Sequence, residues 1–269
     1  MKDHTLEFTG SIPAAYDTVL GPMLFEPYAR DLAARLTVPP AAAVLEVACG
    51  TGILTGHLRR ALPTTATLTA TDLNEPMVAH ARAKMPNDAI TWQPADMQAL
   101  PFPDSSFDAV ACQFGLMFVP DKPRAFGELR RVLRPRGPLA FNVWSALAEN
   151  PVGRIARETI ARYFTNDPPP FYDLPFSLHD ESYLRELLRD ARLAIVLCER
   201  VALEARCATA QTAARGMVTG NPILRDVVER GSAGPEEIID AVAAALSAVG
   251  GAAPLRLPMS ALVCVARAA

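Results

Sequence analysis

The chain has 269 residues, 50% of them apolar and 20% charged, and a net charge of −3. This length suffices for one large α/β domain, and the composition excludes a disordered chain. The slightly acidic balance disfavours a nucleic-acid surface, which usually needs a basic stripe. No segment approaches about 20 uninterrupted apolar residues, and the N-terminus lacks an apolar signal-peptide core. The sequence therefore predicts a soluble, cytoplasmic protein without a membrane span.

Taken in chain order, residues 1–22 are predicted to be irregular because Gly10, Pro13, Gly21 and Pro22 interrupt them. An amphipathic helix is expected next, over Leu24–Leu36. Short apolar strands then alternate with helices, a pattern typical of βαβ units and a mostly parallel, doubly wound sheet. The predicted elements of this part are strand Ala43–Ala48, helix Gly52–Ala61, strand Thr67–Thr71, a helix capped by Asn74, strands Ala89–Gln93 and Phe107–Gln113, helix Lys122–Leu133 and strand Leu139–Trp144.

After Trp144 the alternation pauses at a triple proline, Pro168 to Pro170, which no helix or strand interior accommodates. The predicted elements here are helices Val152–Tyr163 and Ser177–Ala191, strand Arg192–Ala205, three helical segments within 207–249 and strand Met259–Ala266. We expect a single domain over 1–269. Its parts are an N-terminal arm (1–39), a ligand-binding core (40–145), two cap insertions (146–178 and 207–250), and closing elements (179–206 and 255–269).

The five cysteines form no CxxC pair. Cys112, Cys198 and Cys264 fall in apolar, strand-like runs, where a free thiol behaves as a small hydrophobe. Reduced cysteines are therefore expected. Because histidines, cysteines and acidic residues do not cluster at ligand spacing, no metal site is predicted.

Three acidic residues stand where successive predicted strands should end: Glu46 in the first strand, Asp72 after the second and Asp96 after the third. Parallel strands place their carboxyl ends at one edge of a sheet, where ligands of such folds bind. Gly50 and Gly52 form a turn that lets backbone approach a ligand, and Asp72 follows at a spacing suited to ribose hydroxyls. Thr55 stands where a dinucleotide fingerprint has its third glycine, so the pattern favours a nucleoside cofactor other than NAD.

Together these motifs resemble a class I S-adenosylmethionine-dependent methyltransferase, in the small-molecule group similar to the ubiquinone/menaquinone-biosynthesis enzymes. The motifs that carry the resemblance are Val44–Gly52, Thr71–Met77, Gln93–Met97, Leu100–Phe102, Ser106–Val110 and Glu128–Gly137. The resemblance covers about residues 40–145. It implies a Rossmann-like sheet of seven strands, mostly parallel with an antiparallel last strand, and S-adenosyl-L-methionine as the cofactor.

The resemblance also assigns residues to the cofactor. Ala48, Gly50 and Gly52 would cradle the methionyl end, with Glu46 near its amino group. Asp72 would bind the ribose, Leu73 or Met77 would pack on the adenine, and Asp96 with Met97 would hold its edge. Gln113 and Phe114 would sit beside the sulfonium. Ala48 and Arg136 replace usual glycines. We expect Ala48 to be tolerated because it precedes the reversal, and Arg136 because it lies in a surface turn.

The resemblance implies methyl transfer to an O, N or C nucleophile of a small molecule. A monomer or a homodimer is expected. No dedicated catalytic dyad is visible. Aromatic residues are expected to line an acceptor cavity between the arm, segment 144–176 and the helices of 207–249. The cavity candidates are Tyr16, Phe25, Phe114, Met117, Phe118, Trp144, Phe171, Tyr172, Phe176 and His179. Two alternatives stay open, an NAD-dependent oxidoreductase and a non-catalytic module that senses the cofactor.

Overall fold

The computed structural model describes residues 12–86 and 89–269. The described chain divides into two compact units. The sheet unit comprises Glu26–Ala146, Leu174–Ala202 and Ser260–Ala269. The helical unit comprises the described residues up to Phe25, together with Leu147–Asp173 and Leu203–Met259. The prediction of a single domain with an arm and two cap insertions stays a prediction, and the part of the arm before residue 12 lies outside the described residues.

The seven strands form one sheet in the order β3-β2-β1-β4-β5-β7-β6. The strands are β1 (Ala43–Val47), β2 (Thr67–Asp72), β3 (Ile90–Pro94), β4 (Ala109–Gln113), β5 (Pro138–Trp144), β6 (Leu193–Cys207) and β7 (Leu255–Ala268). Strands β1 to β5 pair in parallel, whereas β7 runs antiparallel to β5. The predicted doubly wound sheet with an antiparallel last strand is confirmed.

Ten α-helices accompany the sheet in the part of the chain that the structure describes. They are α1 (Ile12–Ala15), α2 (Glu26–Arg35), α3 (Ile53–Ala61), α4 (Glu75–Lys84), α5 (Lys122–Val132), α6 (Pro151–Ala161), α7 (Glu181–Asp190), α8 (Ala210–Thr219), α9 (Ile223–Arg230) and α10 (Pro235–Gly250). Most predicted elements are present with shifted ends. The three helical segments expected within 207–249 are α8, α9 and α10.

The prediction of irregular structure up to residue 22 is wrong from residue 12 onward. Helix α1 is followed by a π-helix over Tyr16–Phe25, which contains Pro22. Proline predicts a break because it lacks the N–H that a regular α-helix needs. A π-helix is held by hydrogen bonds between residues i and i+5, so its backbone bonding differs from the i to i+4 pattern of an α-helix. Local propensity alone does not predict this geometry.

One face of the sheet unit is closed by α2 and α3, and apolar side chains fill the space between them and the strands. Leu32 of α2, Leu58 of α3 and Leu68 of β2 are each at most 1% exposed in this cluster. Burying one leucine side chain contributes about 1.5–3 kcal/mol. This packing holds the carboxyl ends of β1 and β2 in place beneath the glycine turn.

The prediction of reduced cysteines is wrong for one pair. Cys198 on β6 and Cys264 on β7 form a disulfide, while Cys49, Cys112 and Cys207 are free thiols. The partners are 66 residues apart in sequence. Their proximity depends on β6 lying beside β7, which neither cysteine spacing nor hydrophobicity reveals. Among the described residues, no helix is long and apolar enough to cross a bilayer.

Candidate cofactor site

The loop after β1 reverses the chain through three residues with left-handed backbone. These are Ala48 (φ 53°), Gly50 (φ 54°) and Gly52 (φ 80°). The expectation that Ala48 precedes the reversal is wrong, because Ala48 is itself part of it. A left-handed non-glycine residue costs roughly 1–2 kcal/mol. Arg136, the other replacement, also has a positive φ of 65° and is exposed, as expected for a surface turn.

The glycines of the site differ in what surrounds them. A Cβ at Gly52 would lie 2.6 Å from the Cε of Met85, so Gly52 is required by packing against α4. A Cβ at Gly115 would lie 2.4 Å from the Cβ of Ala48, which brings the segment after β4 against the turn. At Gly50 the same construction meets no atom within 4 Å. The turn thus leaves open space in front of Gly50.

Asp72, at the end of β2, is 8% exposed and fixes the turn through both carboxylate oxygens. The Gly50 N–H donates to Oδ2 at 2.9 Å, and the Asn74 N–H donates to Oδ1 at 2.8 Å. Desolvation raises the pKa of Asp72, and these backbone donors oppose that rise. Each carboxylate oxygen has two lone pairs, so Asp72 keeps acceptor capacity for further donors. The sequence did not predict the bond from Asn74, which was expected only as a helix cap.

Glu46 on β1 is 1% exposed, and its Oε2 is buried without a hydrogen-bond partner in the described structure. Desolvation raises the pKa of this carboxyl from 4.5 to about 8. The nearby Thr55 hydroxyl lowers it, although no hydrogen bond of ordinary geometry reaches Oε2, and the charge of Asp72 raises it further. A buried acid without a partner is costly, so this atom is suited to an incoming cation.

Four further predicted cofactor residues lie on the loops and the helix that follow β2 and β3. Leu73, next to Asp72, is 56% exposed, whereas Met77 of α4 is buried. Asp96 and Met97 are half-buried. The Gln98 N–H donates to Asp96 Oδ1 at 2.8 Å. Because Leu73 is exposed, a flat apolar ligand that covered it would remove apolar surface from water and gain binding free energy.

Strand β4 ends at Gln113, which is half-buried, and the next residue, Phe114, is 5% exposed. Phe114 stacks on Trp144 with ring centroids 4.0 Å apart. Tyr28 of α2 meets both rings edge-on, at 5.4 and 5.5 Å. The Phe114 N–H donates to the carbonyl and to the side-chain oxygen of Asn142 on β5. Tyr28 and Asn142 are not among the residues predicted for the site, although Asn142 is the sole polar side chain in the run Pro138–Trp144.

The remaining acceptor-cavity candidates belong to both units, and their role stays a prediction. In the helical unit, Tyr16 stacks on Phe25 at 4.8 Å, and the Tyr172 hydroxyl donates to the Met217 carbonyl at 2.8 Å. Phe171 meets Tyr172 edge-on at 5.3 Å. In the sheet unit, Phe176 lies 6.4 Å from Trp144. The other candidates in the sheet unit are Met117, which is buried, Phe118, which is half-buried, and His179, which is exposed with Nδ1 2.7 Å from the Phe176 carbonyl.

The residues around the turn are poorly suited to thiol chemistry or to metal binding. Desolvation raises the pKa of Cys112 to about 12 and that of Cys49 well above its usual range, so both thiols are poor nucleophiles. Within residues 12–86 and 89–269, no group of three or more His, Cys, Asp or Glu is arranged to hold a metal ion.

Comparison with known proteins agrees with this geometry. Residues 45–141 match the family model described as a methyltransferase domain. Over this stretch the chain is similar to that methyltransferase family. It is 34% identical over 145 residues to the ubiquinone/menaquinone biosynthesis C-methyltransferase UbiE of Hahella chejuensis. That match covers 51% of this chain and 58% of the relative, so the chain spans less than two thirds of the curated relative.

Solved structures share the fold of this chain at low sequence identity. A SAM-dependent methyltransferase from Aquifex aeolicus gives a TM-score of 0.50 at 18% identity, covering 71% of this chain and 92% of that one. The [4+2]-cyclase SpnF gives a TM-score of 0.59 at 20% identity, covering 90% of this chain and 80% of that one. Likeness at this level shows the fold alone. The predicted similarity to S-adenosylmethionine-dependent methyltransferases is confirmed by the domain family and the UbiE relatives, and S-adenosylmethionine is the cofactor that this similarity implies.

Proposed function

We propose that this chain transfers the methyl group of S-adenosylmethionine to a nucleophile of a small organic molecule. The observation that carries the proposal is the buried Glu46 carboxyl, whose Oε2 has no partner in the described structure. The cofactor brings an ammonium group, which would supply the missing partner. The curated UbiE relative is named a C-methyltransferase, which favours a carbon nucleophile over oxygen or nitrogen.

The residues around the turn fit this cofactor on three counts. Glu46 would accept from the ammonium group, and the open space at Gly50 leaves room for the methionyl chain. Asp72, already oriented by two backbone donors, would accept from the ribose hydroxyls. Leu73 is exposed beside Asp72 and would cover the adenine. Met77 would pack on the same adenine, and Asp96 and Met97 would hold its edge. These assignments are supported by burial and unused hydrogen-bonding capacity.

The cofactor supplies a methyl group on a cationic sulfur, whose leaving group departs neutral. The chain's own residues then need mainly to align the acceptor and exclude water. The buried aromatic side chains at Phe114 and Trp144, 5% and 7% exposed, suit water exclusion next to Gln113. No side chain is assigned as a general base, because a carbon or nitrogen acceptor that is already nucleophilic needs none.

Calorimetric titration with S-adenosylmethionine, S-adenosylhomocysteine and NAD tests the donor. We expect binding of the first two and none of NAD. Binding of NAD alone would replace the proposal by the oxidoreductase alternative. A screen of phenols, amines and quinol-like acceptors with labelled methyl donor tests transfer. Tight cofactor binding without transfer to any acceptor would favour the cofactor-sensing alternative.

A further inference from the structure

The segment that follows β4 has an unusual backbone at Phe114. Its φ of 49° is left-handed, a conformation that bulky residues rarely adopt. Strained backbone of this kind persists where surrounding contacts hold it, often at functional sites. At Phe114 those contacts come from β5. The N–H donates to the backbone carbonyl of Asn142 at 3.1 Å and to its side-chain Oδ1 at 3.0 Å.

The buried side chain of Asn142 lowers the stability of the fold at its position. It is 0% exposed, and its Nδ2 is buried without a partner in the described structure. An unmade hydrogen bond in a buried site destabilises a protein, so an apolar side chain of similar size would suit the fold better. What the amide provides is the second acceptor for Phe114. Because Nδ2 is shielded, Asn142 acts through Phe114 rather than by touching a ligand.

The conformation of Phe114 determines where its ring lies. The ring stacks on Trp144 with planes 13° apart, and Tyr28 closes the stack edge-on. The next residue, Gly115, packs against Ala48 of the glycine turn. The aromatic stack therefore begins where the turn is in contact with the end of β4, the place expected for the cationic sulfur.

We propose that Asn142 is a positioning residue that holds Phe114 left-handed, so that the Phe114–Trp144 stack favours a cationic sulfonium over a neutral thioether. This inference rests on the proposed function. Aromatic rings attract cations through their quadrupole, whereas a neutral sulfur gains little of this attraction. The quantity that Asn142 controls is thus the ratio of the Kd for S-adenosylhomocysteine to the Kd for S-adenosylmethionine.

The test compares Asn142→Leu with Asn142→Asp. Leucine removes the side-chain acceptor at similar size, and the backbone carbonyl still accepts from Phe114, so the variant is expected to fold. Aspartate keeps an oxygen at the position of Oδ1. We expect Asn142→Leu to lower the Kd ratio by about 3- to 10-fold, the range of one cation–π contact, and Asn142→Asp to stay near wild type. Ser260→Ala is the matched control, because Ser260 is a buried polar residue of the neighbouring β7, bonded to Ser145 at 3.0 Å, and should leave the ratio unchanged.

A second measurement does not depend on the ligand. The chain has two tryptophans, Trp92 and Trp144, so Trp92→Phe leaves Trp144 as the reporter. In that background, Asn142→Leu should weaken the near-ultraviolet circular dichroism of the stacked indole, and Asn142→Asp should retain it. A wild-type ratio and spectrum in Asn142→Leu would overturn the inference, as would equal shifts in both variants. If wild-type protein binds neither ligand, the proposed function itself fails.

Discussion

Replacing Glu46 by glutamine separates the charge of this buried side chain from its shape. The wild-type carboxyl has a pKa raised from 4.5 to about 8, mainly by desolvation. The folded state therefore holds the proton more tightly than the unfolded state. Its stabilising effect is complete below pH 4.5 and is lost as the pH rises toward 8. Across that window the free energy of unfolding of wild type should fall by up to roughly 5 kcal/mol relative to Glu46→Gln.

Urea unfolding of both proteins without cofactor, at pH 5, 6, 7 and 8, measures this difference directly. Titrating groups remote from Glu46 affect both proteins alike, so the difference between the two curves reports Glu46 together with its coupling to Asp72. At pH 7 the expected loss in wild type is roughly 2.5 kcal/mol relative to pH 5. Stabilities that run parallel to within about 1 kcal/mol over the whole range would refute a neutral, buried Glu46.

The same reasoning predicts proton release when the cofactor binds. Near pH 7 the free carboxyl is mostly protonated, and a bound ammonium would favour its ionised form. Binding should therefore release close to one proton at pH 7. Calorimetry in buffers with different ionisation enthalpies reports this number, and Glu46→Gln should abolish it. The lost affinity should be only about 1 kcal/mol at pH 7, because ionising Glu46 offsets part of a charge-assisted bond. Identical binding enthalpies in all buffers would remove Glu46 from the ammonium site.

Three further substitutions probe the turn. Asp72→Ala should weaken S-adenosylmethionine binding by about 1.5–3 kcal/mol through lost charge-assisted hydrogen bonds, and unchanged affinity in calorimetry would remove Asp72 from the site. Gly50→Val should abolish cofactor binding and lower the Tm, because valine is strained at φ 54° and its side chain would fill the open space in front of the turn. Wild-type affinity would place the ligand elsewhere. Gly115→Ala should lower the Tm because its Cβ would lie 2.4 Å from that of Ala48, and Ala48→Gly in the same chain should recover much of the loss. Additive effects in that double-mutant cycle would contradict the contact.

Sequence reasoning predicted the sheet well because its signals are local. Short apolar runs alternate with amphipathic segments, and Glu46 and Asp72 stand at or near the ends of β1 and β2. Parallel pairing brings the ends of β1 and β2 to one edge, with Glu46 opposite Ala70 and Val47 opposite Thr71. Acidic residues at successive strand ends are therefore close neighbours in any sheet of this order, whatever the details of packing.

The features that sequence reasoning missed all depend on register or backbone geometry. Asn142 bonds Phe114 because β4 and β5 pair with Gln113 opposite Asn142. The disulfide of Cys198 and Cys264 requires β6 to lie beside β7. The bond between Asn142 and Phe114 had a signal in the sequence, because Asn142 is the single amide in the apolar strand β5. Nothing in the spacing of cysteines indicated the disulfide.

Ala48 shows how a residue judged tolerable by its position can govern its surroundings. Its methyl group occupies space that a glycine would leave empty, so the neighbouring position 115 must itself be glycine. The same contact joins the turn after β1 to the segment that starts with Phe114. A substitution on one side of this contact should therefore alter the other side. The stability of Gly115→Ala and the affinity for S-adenosylmethionine should recover together when Ala48→Gly is added, and recovery of stability alone would show that the two segments are packed together but not coupled in binding.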